Sequence, residues 1–205
     1  MRIKKIKVGH AGTLDPLASG LLIICTGKFT KRIEEYQATE KEYTGTLILG
    51  ATTPSFDLET DIDLRFDISE ITENMIYDVC KSFLGEIDQV SPNYSARRVD
   101  GERAYYKARR GEDFEIKSRK VIISEFKITK INLPEVEFRV VCSKGTYIRS
   151  LISDFGKKLN NGAYLSKLCR TRSGDLLLSD AWDLTELITK IHEQRREEKA
   201  LQGIE

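Results

Sequence analysis

Apolar positions recur along this chain with two different periods, and together they lay out its elements. Leu21 to Thr26 is a short apolar run and predicts a buried strand. Thr30 to Ala38 predicts a short helix, with Ile33 and Tyr36 spaced for one face. Tyr43 to Leu49 is rich in β-formers, runs into Gly50 and predicts a second strand. Thr72, Met75, Ile76, Val79, Cys80 and Phe83 fall at helical spacing, with Gly85 placed to end that helix. Val121 to Ile131 and Val136 to Cys142 predict a hairpin around Pro134. Ile148, Leu151, Ile152, Phe155 and Leu159 make one face of a helix, whose end is marked by Asn160-Asn161-Gly162.

Two stretches carry neither period. Residues 51–69 hold Pro54 and four aspartates and predict a surface loop. Residues 89–117 are polar, basic and Tyr-rich, with no apolar period to anchor them, and predict an extended, mobile excursion. From Thr185 onward the pattern predicts a charged helix. Strands and helices mix without a regular βαβ alternation. The expected class is α+β, with a mixed, largely antiparallel central sheet flanked by helices.

Composition narrows this. The chain has 205 residues, 40% hydrophobic and 32% charged, enough for one sizeable core. No run of 18 apolar residues predicts a membrane span. The basic start, with Arg2, Lys4, Lys5 and Lys7, has no apolar run behind it and is not a signal peptide. Cys25, Cys80, Cys142 and Cys169 are far apart, and His10 and His192 are the only histidines. No zinc or iron–sulfur spacing exists and no disulfide framework, so the expectation is a reduced cytoplasmic protein without a structural metal. Net charge is +1, but its distribution is uneven. Bases gather at Arg97, Arg98 and Arg103, at Lys107, Arg109 and Arg110, and at Lys167, Arg170 and Arg172. Acids gather at Asp57 to Asp67 and Glu193 to Glu198. A neutral total can hide a basic face.

The chemistry concentrates in residues 8–20, Val-Gly-His-Ala-Gly-Thr-Leu-Asp-Pro-Leu-Ala-Ser-Gly. Three glycines let backbone approach a ligand closely, and Asp15-Pro16 fixes a bend. A carboxylate on a stiff loop beside a sheet suits catalysis; a turn in which Asp15 caps its own backbone is the plainer alternative. Gly9 to Gly20 resembles the catalytic motif of the TruB group of pseudouridine synthases. Four more stretches are similar to the same family in the same order: Lys41-Glu42-Tyr43; Pro92-Asn93-Tyr94-Ser95-Ala96 with Gly101 and Tyr105; Cys142 to Leu151; and Gly162 to Gly174.

The resemblance implies a pseudouridine synthase fold over residues 1–185, with 89–117 as an RNA-clamping loop and 186–205 as a charged helical tail. It implies isomerisation of a uridine in the T loop of tRNA, at position 55, with no cofactor and no metal. The implied partner is the T stem-loop of tRNA, bound by a monomer. Asp15 is the implied nucleophile, Arg149 its ion-pair partner, and Tyr43 the group that stacks on the uracil. Tyr147 and Leu168 are expected to line the base pocket, and His10 to fill the space a flipped base leaves. Arg97, Arg98, Arg109 and Arg110 are expected to contact RNA phosphates. Two family features are absent from the sequence: a leading strand with a Lys-Pro-x-Gly-x-Thr-Ser-like motif, and a C-terminal PUA domain. Their absence opens a second reading, an RNA-binding module with impaired catalysis. A glycoside hydrolase ranks behind both, because that chemistry wants two cooperating acids and the motif offers one.

Overall fold

The computed structural model describes residues 6–95 and 97–201, the side chains of 199–201 excepted. In chain order the elements are β1 (Val8–Ala11), β2 (Ser19–Gly20), β3 (Ile23–Thr26), a 3-10 turn (Gly27–Arg32), α1 (Ile33–Ala38) and β4 (Lys41–Leu49). Then come β5 (Ala51–Thr52), β6 (Leu64–Arg65), α2 (Glu73–Lys81), β7 (Gly85–Gln89), β8 (Arg98–Val99), β9 (Glu102–Arg103) and α3 (Ala104–Arg109). The chain continues through β10 (Arg119–Asn132), β11 (Glu135–Cys142), α4 (Ile148–Lys158), β12 (Ala163–Ser173), β13 (Leu176–Leu177) and α5 (Leu184–Leu201).

One sheet organises the molecule. Its strands run β13-β12-β4-β11-β10-β7 as antiparallel neighbours, and β2 joins β12 in parallel. β1 and β3 make a separate antiparallel ribbon. The class is therefore α+β with a mixed central sheet, as expected. One sheet face is apolar at alternate positions: Leu47 and Leu49 on β4, Val136, Phe138 and Val140 on β11, Ile123 and Phe126 on β10. Leu151, Ile152 and Phe155 of α4, with Ile76 and Cys80 of α2, complete the same core. Phe126 meets Phe138 and Phe155 edge-on, with centroids 5.8 and 5.9 Å apart. Burying each such ring or branched chain contributes about 1.5–3 kcal/mol.

The α2 helix and the β10–β11 hairpin form where expected. Thr72 caps α2, its hydroxyl oxygen accepting from the Met75 N–H at 3.3 Å. The β10–β11 hairpin turns at Leu133-Pro134. Other expectations need correction. α2 ends at Lys81, and Gly85 opens β7 instead of closing the helix. Leu21 to Thr26 is no buried strand: in the ribbon, Leu22 and Ile24 are exposed and Cys25 points inward. Residues 51–69 are not all surface, since Thr53, Ser55 and Asp57 are buried. Residues 89–117 are not an unanchored excursion. They hold the end of β7, the β8–β9 hairpin and α3, and they bury Ser91, Ser95, Ala104 and Ile116. β12, which no apolar period announces, is central to the sheet. The N-terminal bases Arg2, Lys4 and Lys5 lie outside the described residues.

Gly20 fastens the segment carrying Asp15 to the sheet. It sits at φ 100°, and a Cβ there would stand 2.3 Å from the Arg170 carbonyl oxygen. Left-handed strain and overpacking each cost about 1–3 kcal/mol. Gly20→Ala is expected to lower stability by at least about 2 kcal/mol, a fall in Tm of roughly 4 °C or more for a chain of this size. Thermal unfolding followed by circular dichroism checks this; an unchanged transition would mean the strand does not approach β12 so closely.

Candidate active site

Asp15 sits between β1 and β2 in a tight turn closed by the Ala18 N–H donating to the Asp15 carbonyl at 2.9 Å. β12 braces that segment from below. The buried Arg170 donates from Nε to the Leu21 carbonyl at 2.7 Å and from Nη2 to the Gly12 carbonyl at 3.0 Å. Its own carbonyl accepts the Leu21 N–H at 2.8 Å. One side chain thus ties both ends of the segment to the sheet, leaving little freedom to the carboxylate between them.

Arg149, in the first turn of α4, is only 2% exposed. It donates from Nε to Asp15 Oδ2 at 2.9 Å and from Nη2 to Asp15 Oδ1 at 2.7 Å. Its remaining donors reach the Ser55 carbonyl at 3.2 Å and the Tyr94 carbonyl at 3.0 Å. Asp57 Oδ2 lies 3.4 Å from Nε, so two carboxylates share one buried guanidinium. They differ in access: the Asp57 side chain is 5% exposed and that of Asp15 29%. A buried cation needs a buried counter-charge. Asp57 supplies it, which leaves Asp15 oriented and still open to a ligand.

Asp15 and Arg149 lie in a cleft of about 820 Å³. Tyr43, Tyr147 and Leu168 line it as well, from β4, the turn before α4, and β12. The cleft wall also carries Lys41, Lys120, Lys144, Arg109, Arg119 and Arg170, against Glu59 as the other acid. Such an excess of cations around one reactive carboxylate suits a polyanion carrying a neutral reacting group. Burial, and secondarily the Cys142 thiol and the Asp15 charge, push the Tyr43 hydroxyl above its ordinary pKa, so it stays protonated at neutral pH. Burial, with Arg170 and Lys144 nearby, pushes Lys41 down to about 8. Its ammonium is still well solvated by protein: it donates to the carbonyls of Tyr36, Gln37 and Thr39 at 3.0, 2.8 and 2.6 Å, closing the C-terminal end of α1.

The other candidates spread out. His10 lies on β1 opposite Ile24, solvent-exposed and outside the residues lining the cleft. Of the four candidate arginines in residues 89–117, Arg109 reaches the cleft and lies over the Tyr105 ring, 5.7 Å from its centroid. Arg98 is exposed on β8. Arg97 turns back to the Ser91 hydroxyl at 3.2 Å and the Lys117 carbonyl at 3.3 Å. Arg110 is held by Glu102 at 2.7 Å and by Glu112 at 2.5 Å.

Two residues of the site escaped the sequence reading. Asp57 was hidden in a polar stretch that looked solvated. Arg170 stood within a motif but had no role given to it. An arginine flanked by Leu168 and Cys169 in a β-rich stretch was the available signal for a buried cation.

Comparison with known proteins bears on this geometry. A model of the TruB family pseudouridylate synthase N-terminal domain matches residues 1–148. tRNA pseudouridine synthase B of Flavobacterium johnsoniae is 61% identical over 182 residues, covering 89% of this chain and 80% of that protein. The enzyme of that name from Phocaeicola vulgatus is 54% identical over 196 residues, covering 96% of this chain and 83% of the relative. Among solved structures, a Cbf5-Nop10-Gar1 complex matches 82% of this chain and 40% of the matched chain, with TM-score 0.62 and 32% identity. An H/ACA RNP bound to a substrate RNA containing 2′-deoxyuridine matches 82% of this chain and 39% of its own, with TM-score 0.57 and 31% identity.

Proposed function

This chain belongs to the TruB family of pseudouridylate synthases, and on that premise we propose that it isomerises the uridine at position 55, in the T loop of tRNA. The family makes it a tRNA pseudouridine synthase, an isomerase whose partner is RNA. The observation that carries the finer reading is the two-point pair of Arg149 with a partly open Asp15 on the floor of a cation-lined cleft.

The reaction breaks the bond from the sugar C1′ to N1 of uracil, turns the base, and joins C1′ to C5. The proton on C5 leaves and N1 gains one, so no redox equivalent is consumed and the chemistry calls for no cofactor. Asp15, oriented by Arg149 through two hydrogen bonds, attacks the nucleoside or stabilises the cleaved sugar. Tyr43 stacks on the uracil, and its protonated hydroxyl serves the closing proton transfer. Tyr147 and Leu168 bound the base pocket. The uridine is flipped to reach Asp15, and His10, standing outside the cleft on the ribbon, fills the space it leaves.

Residues 1–185 act as the catalytic domain and 186–205 as a helical tail, and the protein works as a monomer in the cytoplasm. Within 89–117, Arg98 and Arg109 meet phosphates directly, while Arg97 and Arg110 do so by exchanging their internal partners for RNA. Asp57 offers no second acid for a hydrolase, because it is buried against Arg149 and is not among the residues lining the cleft.

A T stem-loop hairpin is the expected minimal substrate. Tritium release from a hairpin carrying 5-tritiated uridine should approach that from full-length tRNA, with the product mapped to position 55. Modification confined to intact tRNA, or falling on another uridine, would remove the T-loop assignment and leave the family intact.

A further inference from the structure

Besides Arg149, a second guanidinium on the cleft wall is fixed in place and short of acceptors. Arg119 opens β10, paired in the ladder with Gln89 of β7. It lies over the Tyr147 ring, 5.0 Å from the centroid, and its Nε is buried without a hydrogen-bond partner. The Gln89 side chain brackets the Tyr147 backbone and fixes the point from which its ring extends. Gln89 Oε1 accepts the Tyr147 N–H at 2.8 Å, and Gln89 Nε2 donates to the Tyr147 carbonyl at 3.0 Å. The Gly145 turn forms another wall. Gly145 sits at φ 79°, and a Cβ there would stand 2.9 Å from Arg119 Nη1.

Stacking and packing thus set the plane of this guanidinium without occupying its donors. Cations nearby on the same sheet are treated differently. Lys120 pairs with Glu86, Arg139 with Glu42 and Glu125, and Arg172 with Glu40. No carboxylate among the described residues pairs with Arg119. A planar fork of N–H donors, held rigid and facing a cleft, fits the paired oxygens of a phosphate better than any neutral group.

We propose that Arg119, clamped between Tyr147 and the Gly145 turn, grips a backbone phosphate flanking the flipped uridine. The proposal rests on the reading of this cleft as the uridine site. Contacts of this kind carry register rather than sequence information. Arg119 therefore sets how deep the nucleotide sits over Asp15, whatever bases surround it.

The test pairs a protein change with a chemical one. RNA hairpins carry a single neutral methylphosphonate at one of the two linkages flanking the target, beside charged hairpins with matching sugars. Affinity is read by fluorescence anisotropy for wild type, Arg119→Ala and Arg119→Lys. Wild type is expected to lose about tenfold or more in affinity at one linkage, Arg119→Ala to be nearly indifferent there, and Arg119→Lys to fall between. The log–log salt slope of Arg119→Ala should drop by about 0.7–0.9, one phosphate's share. Lys130→Ala, on the far part of β10 and paired with Glu137, should leave the slope unchanged. If Arg119→Ala loses as much affinity as wild type at both neutral linkages, the proposal is overturned. Tritium release by wild type from the unmodified hairpin separates the two failures: active wild type with no coupling sinks this proposal alone, whereas inactive wild type sinks the functional reading.

Discussion

Replacing Asp15 by Asn is expected to abolish tritium release from a T-loop hairpin, by at least about 10³-fold, which corresponds to roughly 4 kcal/mol of transition-state stabilisation. The side chain keeps its shape and loses its charge. It also turns a donor toward Arg149, whose Nε and Nη2 now meet two acceptor oxygens. The fold should survive, because Asp57 remains beside the guanidinium as its buried counter-charge. RNA affinity should change by no more than a few-fold, since the cations lining the cleft are untouched. Single-turnover tritium release and hairpin binding, measured on the same preparation, separate these effects. Appreciable turnover by the variant would remove Asp15 from its role, and a collapse of binding would show that it does something other than chemistry.

Arg149 is expected to be nearly as sensitive and to separate geometry from charge. Lysine at 149 keeps a cation but cannot reach Asp15 at two oxygens and also the carbonyls of Ser55 and Tyr94. The expected rate loss is at least about tenfold, or roughly 1.4 kcal/mol, with the fold retained. Arg149→Met removes the charge altogether. Breaking a buried pair in this way costs about 3–5 kcal/mol, so methionine should both silence the enzyme and lower its Tm clearly. Wild-type turnover from the lysine variant would mean that Arg149 does not orient Asp15. An unshifted melting curve for the methionine variant would mean that the pair is open to water.

What was legible in the sequence followed the strength of its periods. β4, the β10–β11 hairpin, α2 and α4 each carry enough apolar residues packed into a common core to be read directly, although β10 also has two register shifts. β12 could not. Register shifts between Leu165 and Lys167 and between Arg170 and Arg172 break its alternation, and Arg170 occupies a buried position with a charged residue. Residues 51–69 failed for a related reason. Ser55 and Asp57 are buried because Arg149 needs an acceptor and a counter-charge there, a demand that originates 92 or more positions away, and Thr53 is buried beside them, donating to the Asp57 carbonyl. The ribbon strand β3 erred in the other direction: its apolar run faces solvent on one side. For residues 89–117, polarity hid the small anchors Ala104 and Ile116. The catalytic segment was legible as motif chemistry. That its carboxylate would share an arginine with a second acid was not, because no local pattern contains that information.

The Arg149 side chain gathers partners at sequence separations of 134, 94 and 55 residues. Closing loops of that length is entropically costly, and no single one of them assembles the site. Competence is therefore expected only once all of them are closed. A partly folded chain can possess its hairpin and its helices while the guanidinium still lacks one of its partners, Asp15, Ser55, Asp57 or Tyr94. Such a chain lacks the complete set of contacts that orients Asp15 and is expected to be inactive. The arginine works as a checkpoint on completeness, so that catalysis reports on the whole topology rather than on the segment that bears Asp15.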